Sequence, residues 1–95
     1  MKEQEAYWVR AKEAVTRDVE GEIFLAMPRD GSLHTLNPMA SALWRALAIP
    51  RTWAELCTLV EAAFPAVDAA MIRDDIQAIL QTFESNGLAQ RASRR

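Results

Sequence analysis

Two periods divide the chain. From Ala14 to Leu36 the apolar positions recur at every second residue, and from Pro38 to Phe83 at every third or fourth. In Ala14–Val19 (AVTRDV) the alternation puts Val15, Arg17 and Val19 on one face. In Glu22–Met27 (EIFLAM) it puts Ile23, Leu25 and Met27 on one face and Phe24 on the other. Gly21 breaks the run between them. Pro28-Arg29-Asp30-Gly31 is a turn, because Pro presets φ and Gly takes the left-handed conformation that closes such loops. Ser32–Leu36 (SLHTL) follows. Glu22–Leu36 therefore reads as a β-hairpin, with Ala14–Val19 as the third strand of an antiparallel meander.

Asn37-Pro38 marks the change of period, with Asn as N-cap and Pro at the first helical position. Ala40, Leu43, Trp44 and Leu47 then form one apolar stripe, which stops near Ala48 because Pro50 disfavours helix at Ile49. Thr52-Trp53-Ala54-Glu55 is a capping box that opens a second helix. Its stripe is Trp53, Leu56, Val60, Ala63 and Phe64, and Pro65 closes it. Asp68 caps a third helix with the longest stripe, Ile72, Ile76, Ile79, Leu80 and Phe83, and Gly87 supplies its stop. The order is β-β-β-α-α-α. This is an α+β domain of winged helix-turn-helix type, a three-stranded antiparallel sheet followed by three helices. Residues 1–13, with Tyr7 and Trp8, read as an N-terminal arm, 14–90 as the domain, and 91–95 as a loose basic tail.

Composition narrows the function. A chain of 95 residues makes one domain. Its net charge of −2 speaks against a polyanion as main partner. One cysteine, Cys57, excludes an internal disulfide and any cysteine-built metal centre from this chain alone. No apolar run reaches the roughly 20 residues of a membrane span. The charged start MKEQEAYWVRAKE does not fit a signal peptide, so a reduced, cytoplasmic setting is expected. The three glycines are far apart and His34 is the only histidine, so neither a phosphate loop nor a local nucleophile–base pair is legible. Adjacent Asp74 and Asp75 do not face each other on a helix. No enzyme and no cofactor is expected.

Four segments in order resemble the PqqD family, whose members include the peptide-binding modules called RiPP recognition elements. Leu36-Asn37-Pro38-Met39-Ala40-Ser41-Ala42-Leu43-Trp44-Arg45-Ala46-Leu47 resembles its Leu-Asn…Leu-Trp…Leu block. Arg51–Leu56 is similar to its Thr-hydrophobic-x-Glu-Leu start of the second helix. Ile76, Ile79, Leu80, Phe83, Gly87 and Leu88 are similar to its last helix and closing Gly-Leu, and Thr16–Leu25 to its opening strands. The resemblance implies binding of the leader segment of a ribosomally made precursor peptide. The leader would add as an antiparallel strand beside the third strand, next to the third helix. It would then be presented to a modifying enzyme, often a radical S-adenosylmethionine enzyme.

Carried onto this sequence, the strand supplies Leu33, His34, Thr35 and Leu36, and the helix supplies Met71, Arg73, Asp75, Ala78 and Ile79. An outer strand leaves amides and carbonyls unpaired, and Ser32–Leu36 has neither Pro nor Lys to blunt that edge. Four backbone bonds at a net ~1 kcal/mol each would give about 4 kcal/mol. Micromolar binding takes about 8 kcal/mol. Two or three buried leader side chains, at about 1.5–3 kcal/mol each, would have to supply the difference. Apolar pockets lined by Leu33, Met71, Asp75, Ala78 and Ile79 are therefore expected, with Arg73 and the acidic pair at the rim.

The bland readings stand beside these. Ile72, Ile76 and Phe83 are core, Trp44 and Trp53 are packing residues, and Cys57 is a small buried hydrophobe. His34 is an exposed bystander on its strand. Two rival functions remain, a DNA-binding winged helix and a non-catalytic stabilising subunit of an enzyme. A recognition helix needs basic residues, yet the third helix carries Arg73 against Asp68, Asp74, Asp75 and Glu84, and the second carries Glu55 and Glu61 with no base. Nucleic acid and membrane are not expected as partners. An exposed edge also templates pairing between two copies, so a homodimer stays open.

Overall fold

The computed structural model describes residues 6–93. In chain order the elements are β1 (Ala6–Arg10), β2 (Val15–Val19), β3 (Glu22–Met27), β4 (Ser32–Leu36), α1 (Pro38–Ala46), β5 (Arg51–Thr52), α2 (Trp53–Ala63), α3 (Ala69–Ser85) and β6 (Ala89–Ser93). β2, β3 and β4 form an antiparallel meander in that order. Ile23, Leu25, Met27 and Leu36 on its inner face are buried against Leu43, Trp44 and Leu47, Leu56 and Val60, and Ile72, Ile76, Leu80 and Phe83. The fold is α+β, with this sheet ahead of three helices.

Local chemistry sets the ends of each element. Val19 and Glu22 close the β2–β3 hairpin around Glu20 (φ 54°) and Gly21 (φ 88°), the two left-handed residues of a type I′ turn. The Asn37 side chain accepts from the Ala40 N–H at 2.8 Å, and Pro38 follows at the first helical position. At α2 the box is complete: Glu55 N–H donates to the Thr52 hydroxyl (3.2 Å) and Thr52 N–H to the Glu55 carboxylate (3.0 Å). Asp68 accepts from the N–H groups of Ala70 and Met71 at the start of α3. Gly87 (φ 72°) ends that helix in a Schellman motif, with Leu88 N–H donating to Phe83 C=O and Gly87 N–H to Glu84 C=O.

A second sheet, β5-β1-β6, corrects the reading of both chain ends. β1 lies within the segment read as an arm, and β6 starts in the last two residues read as domain and runs into the tail read as loose. They pair antiparallel from Ala6 opposite Ser93 to Arg10 opposite Ala89. Residues 1–5 of the arm and Arg94 and Arg95 of the tail lie outside the described residues. Each strand is only five residues long and its partner is some eighty residues away, so no local period reveals the pairing. Tertiary contacts hold it. Trp8 is buried with the Arg91 guanidinium 5.3 Å from its ring centre. Arg10 reaches across to α1, 4.8 Å from the Trp44 ring centre, and donates to the Trp44 carbonyl at 2.8 Å. Phe83 meets Trp44 edge-on at 5.8 Å, and the Trp44 indole N–H donates to the Thr16 hydroxyl at 3.0 Å.

Candidate peptide-binding groove

β4 is an outer strand, and the hairpin turn decides which of its main-chain groups are free. Directly opposed residues in an antiparallel pair alternate between bonded and non-bonded pairs. Met27 opposes Ser32. If that pair were of the non-bonded kind, a flanking bond would call on the N–H of Pro28, which has none. The bonded pairs are therefore Met27–Ser32, Leu25–His34 and Ile23–Leu36. The far end agrees. The Ser41 hydroxyl accepts from Ile23 N–H and donates to Leu36 C=O, both at 3.2 Å, so those two groups face each other. It follows that Leu33 and Thr35 direct their N–H and C=O groups outward, away from β3.

The same register fixes the side chains. Ser32, His34 and Leu36 share the inner face with Met27, Leu25 and Ile23, whereas Leu33 and Thr35 lie on the outer face with Ala26 and Phe24. Beside the C-terminal half of β4 runs a cleft of about 260 Å³. Thr35, Leu36 and Asn37 form one wall and Ala78, Ile79 and Thr82 of α3 the other, with buried Ala40 and Phe83 between them. An open row of main-chain groups thus borders an apolar slot.

The expected site residues divide accordingly. Thr35, Leu36, Ala78 and Ile79 come together at the cleft. Leu33 belongs to the free edge by its main chain only. Its side chain, 80% exposed, points to the outer face and does not line this cleft, because the strand period turns it away. His34 is half-buried rather than an exposed bystander, with Nε2 3.0 Å from the Ser32 hydroxyl. Met71 and Asp75 share a helix face with Ala78 and Thr82, at i, i+4, i+7 and i+11, and so continue the α3 wall toward its N-terminus. They do not line the cleft itself, and Met71 is 60% exposed. Arg73 stands on the opposite flank of α3. Its Nε lies 3.2 Å from Glu61 Oε2 of α2, an ion pair without hydrogen-bond geometry.

The sequence reading missed Asn37, Ala40, Thr82 and Phe83 as cleft residues. Thr82 was within reach, since it repeats the helical spacing of Met71, Asp75 and Ala78. The other three were absorbed by their capping and core roles.

Charge around the groove is acidic. Asp74 and Asp75 have no ion-pair partner among the described residues. Asp30, in the turn before β4, is held below the usual carboxylate range by the N–H and hydroxyl of Ser32. Cys57 is buried as expected, and that burial pushes its thiol up.

A larger cleft of about 610 Å³ lies on the other flank of α3, between Gln77, Leu80, Gln81 and Glu84, the start of α2, and Ala6, Trp8 and Arg91 of the second sheet. Trp53, expected to be a packing residue, lines it and is 38% exposed. Volume alone does not make it the strand site, since the meander's open edge is not among its walls.

A meander whose last strand is open beside a helix-walled slot, followed by three helices, defines a small α+β domain built around one accessible edge. The family model for Coenzyme PQQ synthesis protein D (PqqD) matches residues 22–89, and the chain belongs to this family. Two solved structures share its fold. One is TbiB1 in complex with the TbiA(beta) leader peptide, 18% identical with a TM-score of 0.77, covering 86% of this chain and 94% of that one. The other is lasso peptide synthetase B1 complexed with the leader peptide, 19% identical with a TM-score of 0.73, covering 87% of this chain and 96% of that one. No curated protein matches the chain. Among the described residues no helix is long and apolar enough to cross a membrane.

Proposed function

We propose that this protein binds the leader segment of a ribosomally synthesised precursor peptide and presents it to a modifying enzyme. The leader adds as a strand antiparallel to β4. Its main chain bonds to Leu33 and Thr35, and its inward side chains enter the slot between Leu36 and Ile79. The observation that carries this reading is the outward pair of main-chain donors and acceptors beside an apolar cleft. Family membership supports it, as do two fold neighbours described with leader peptides. Backbone bonds give sequence-independent affinity, and the cleft gives selection. The chain's part is binding, and the chemistry belongs to the enzyme it serves.

The DNA-binding reading is disfavoured by the acidic balance of α2 and α3, whose one arginine, Arg73, is held by Glu61. The test is amide hydrogen exchange during titration with a synthetic peptide enriched from a display library on the full chain. Exchange at the Leu33 and Thr35 amides is expected to slow on binding, and a nonspecific DNA duplex at low salt is expected to change neither. Unaltered exchange at both amides in the presence of bound peptide would overturn the proposal.

A further inference from the structure

The α3 wall continues past Ala78 and Ile79 to Asp75, one turn nearer the helix N-terminus and on the same face. Asp75 and its neighbour Asp74 are exposed and have no ion-pair partner among the described residues. The nearby base on this helix, Arg73, faces α2 and is engaged by Glu61. Arg29, in the turn before β4, is engaged by Glu13 at 2.6 Å. No lysine or arginine lines the cleft. The approach to the slot therefore offers a bound strand uncompensated negative charge.

Spacing turns that charge into a rule. From Ile79 to Asp75 is four residues of helix, about 6 Å along the axis. Same-face side chains of a strand are two residues apart, about 6.8 Å. On a strand that runs along α3 with an apolar side chain against Ile79, the side chain two positions away comes level with Asp75. We propose, resting on the strand-addition reading, that the segment taken by this groove carries a lysine or arginine two residues from its apolar anchor, read by Asp75. The pair sits at the rim, so it contributes modest affinity and speeds encounter at low salt.

The experiment selects a display library of peptides with nine randomised positions on the immobilised full chain, with Asp75→Asn and Thr35→Pro as parallel baits. Enriched peptides are then synthesised and titrated. The expected outcome is enrichment of Leu, Ile or Phe two residues from Lys or Arg on the wild type, absent on Asp75→Asn. A selected peptide should bind Asp75→Asn about threefold more weakly, a difference that disappears in 0.5 M NaCl. Enrichment of apolar strands with no basic bias, or a bias that persists on Asp75→Asn, overturns this inference and leaves strand addition standing. No enrichment on the wild type, or enrichment that Thr35→Pro retains in full, overturns strand addition itself. Asp75 is exposed, so loss of fold does not confuse the comparison, and the circular dichroism of each bait confirms it.

Discussion

Ser41 donates its hydroxyl proton to the carbonyl of Leu36 at 3.2 Å, and so fastens α1 to the last residue of the open strand. The same oxygen accepts from Ile23 N–H, and Ser41 is fully buried. Ser41→Ala would leave a buried donor and a buried acceptor without this partner, at about 1–3 kcal/mol. Chemical denaturation should show a lower midpoint with an unchanged slope.

Thr35→Pro should weaken leader binding at least tenfold while leaving the domain folded. The Thr35 N–H points outward, so proline removes no bond to β3, and edge strands tolerate it. Calorimetric titration measures the first effect and thermal melting the second. Full affinity in the folded variant would place the incoming chain elsewhere.

Ala78→Trp fills the slot from the α3 wall. Ala78 is exposed at the rim, so the core is untouched and stability should move by no more than about 0.5 kcal/mol. Leader affinity should fall steeply, because the anchor side chain loses its seat. The corresponding change on the far flank, Gln81→Trp, should leave leader affinity as it was.

Acid should lower the stability of the fold. Asp18 is held below the ordinary value of 3.8 by its hydrogen bond from Arg45, then by the Gly21 N–H, and Asp30 by Ser32. A carboxylate with a depressed folded-state value stabilises the fold above the unfolded-state value, and that contribution is lost as pH falls through the lower one. Stability should therefore be flat above about pH 5 and fall below pH 4. Denaturation of an Asp18→Asn, Asp30→Asn double variant should show a shallower acid limb.

Glu20→Asn should raise stability by about 0.5–1 kcal/mol, because Asn takes the left-handed conformation of the β2–β3 turn with less strain. Glu20 holds φ 54° there, ahead of Gly21. The thermal midpoint is the readout.

How legible the molecule was depends on how far apart the cooperating residues stand in the chain. The meander, the three helices and their caps were readable because their signals, such as Asn37-Pro38 or Thr52 with Glu55, act over three or four residues. The second sheet was not, because Trp8 and Arg91 meet only once everything between them has folded. At the site, the family resemblance, carried onto the third helix, named Ala78 and Ile79. It misplaced Leu33, whose main chain and side chain serve opposite faces, and Arg73, whose neighbour Glu61 belongs to another helix.

The pairing of Ala6 with Ser93 brings the two ends of the described chain side by side, on a sheet separate from the meander that carries the open edge. A unit with adjoining ends can be spliced into a loop of a larger polypeptide, or circularly permuted, with little distortion of its host. Either arrangement leaves the cleft between β4 and α3 clear of the junction, since neither Ala6 nor Ser93 is among its walls.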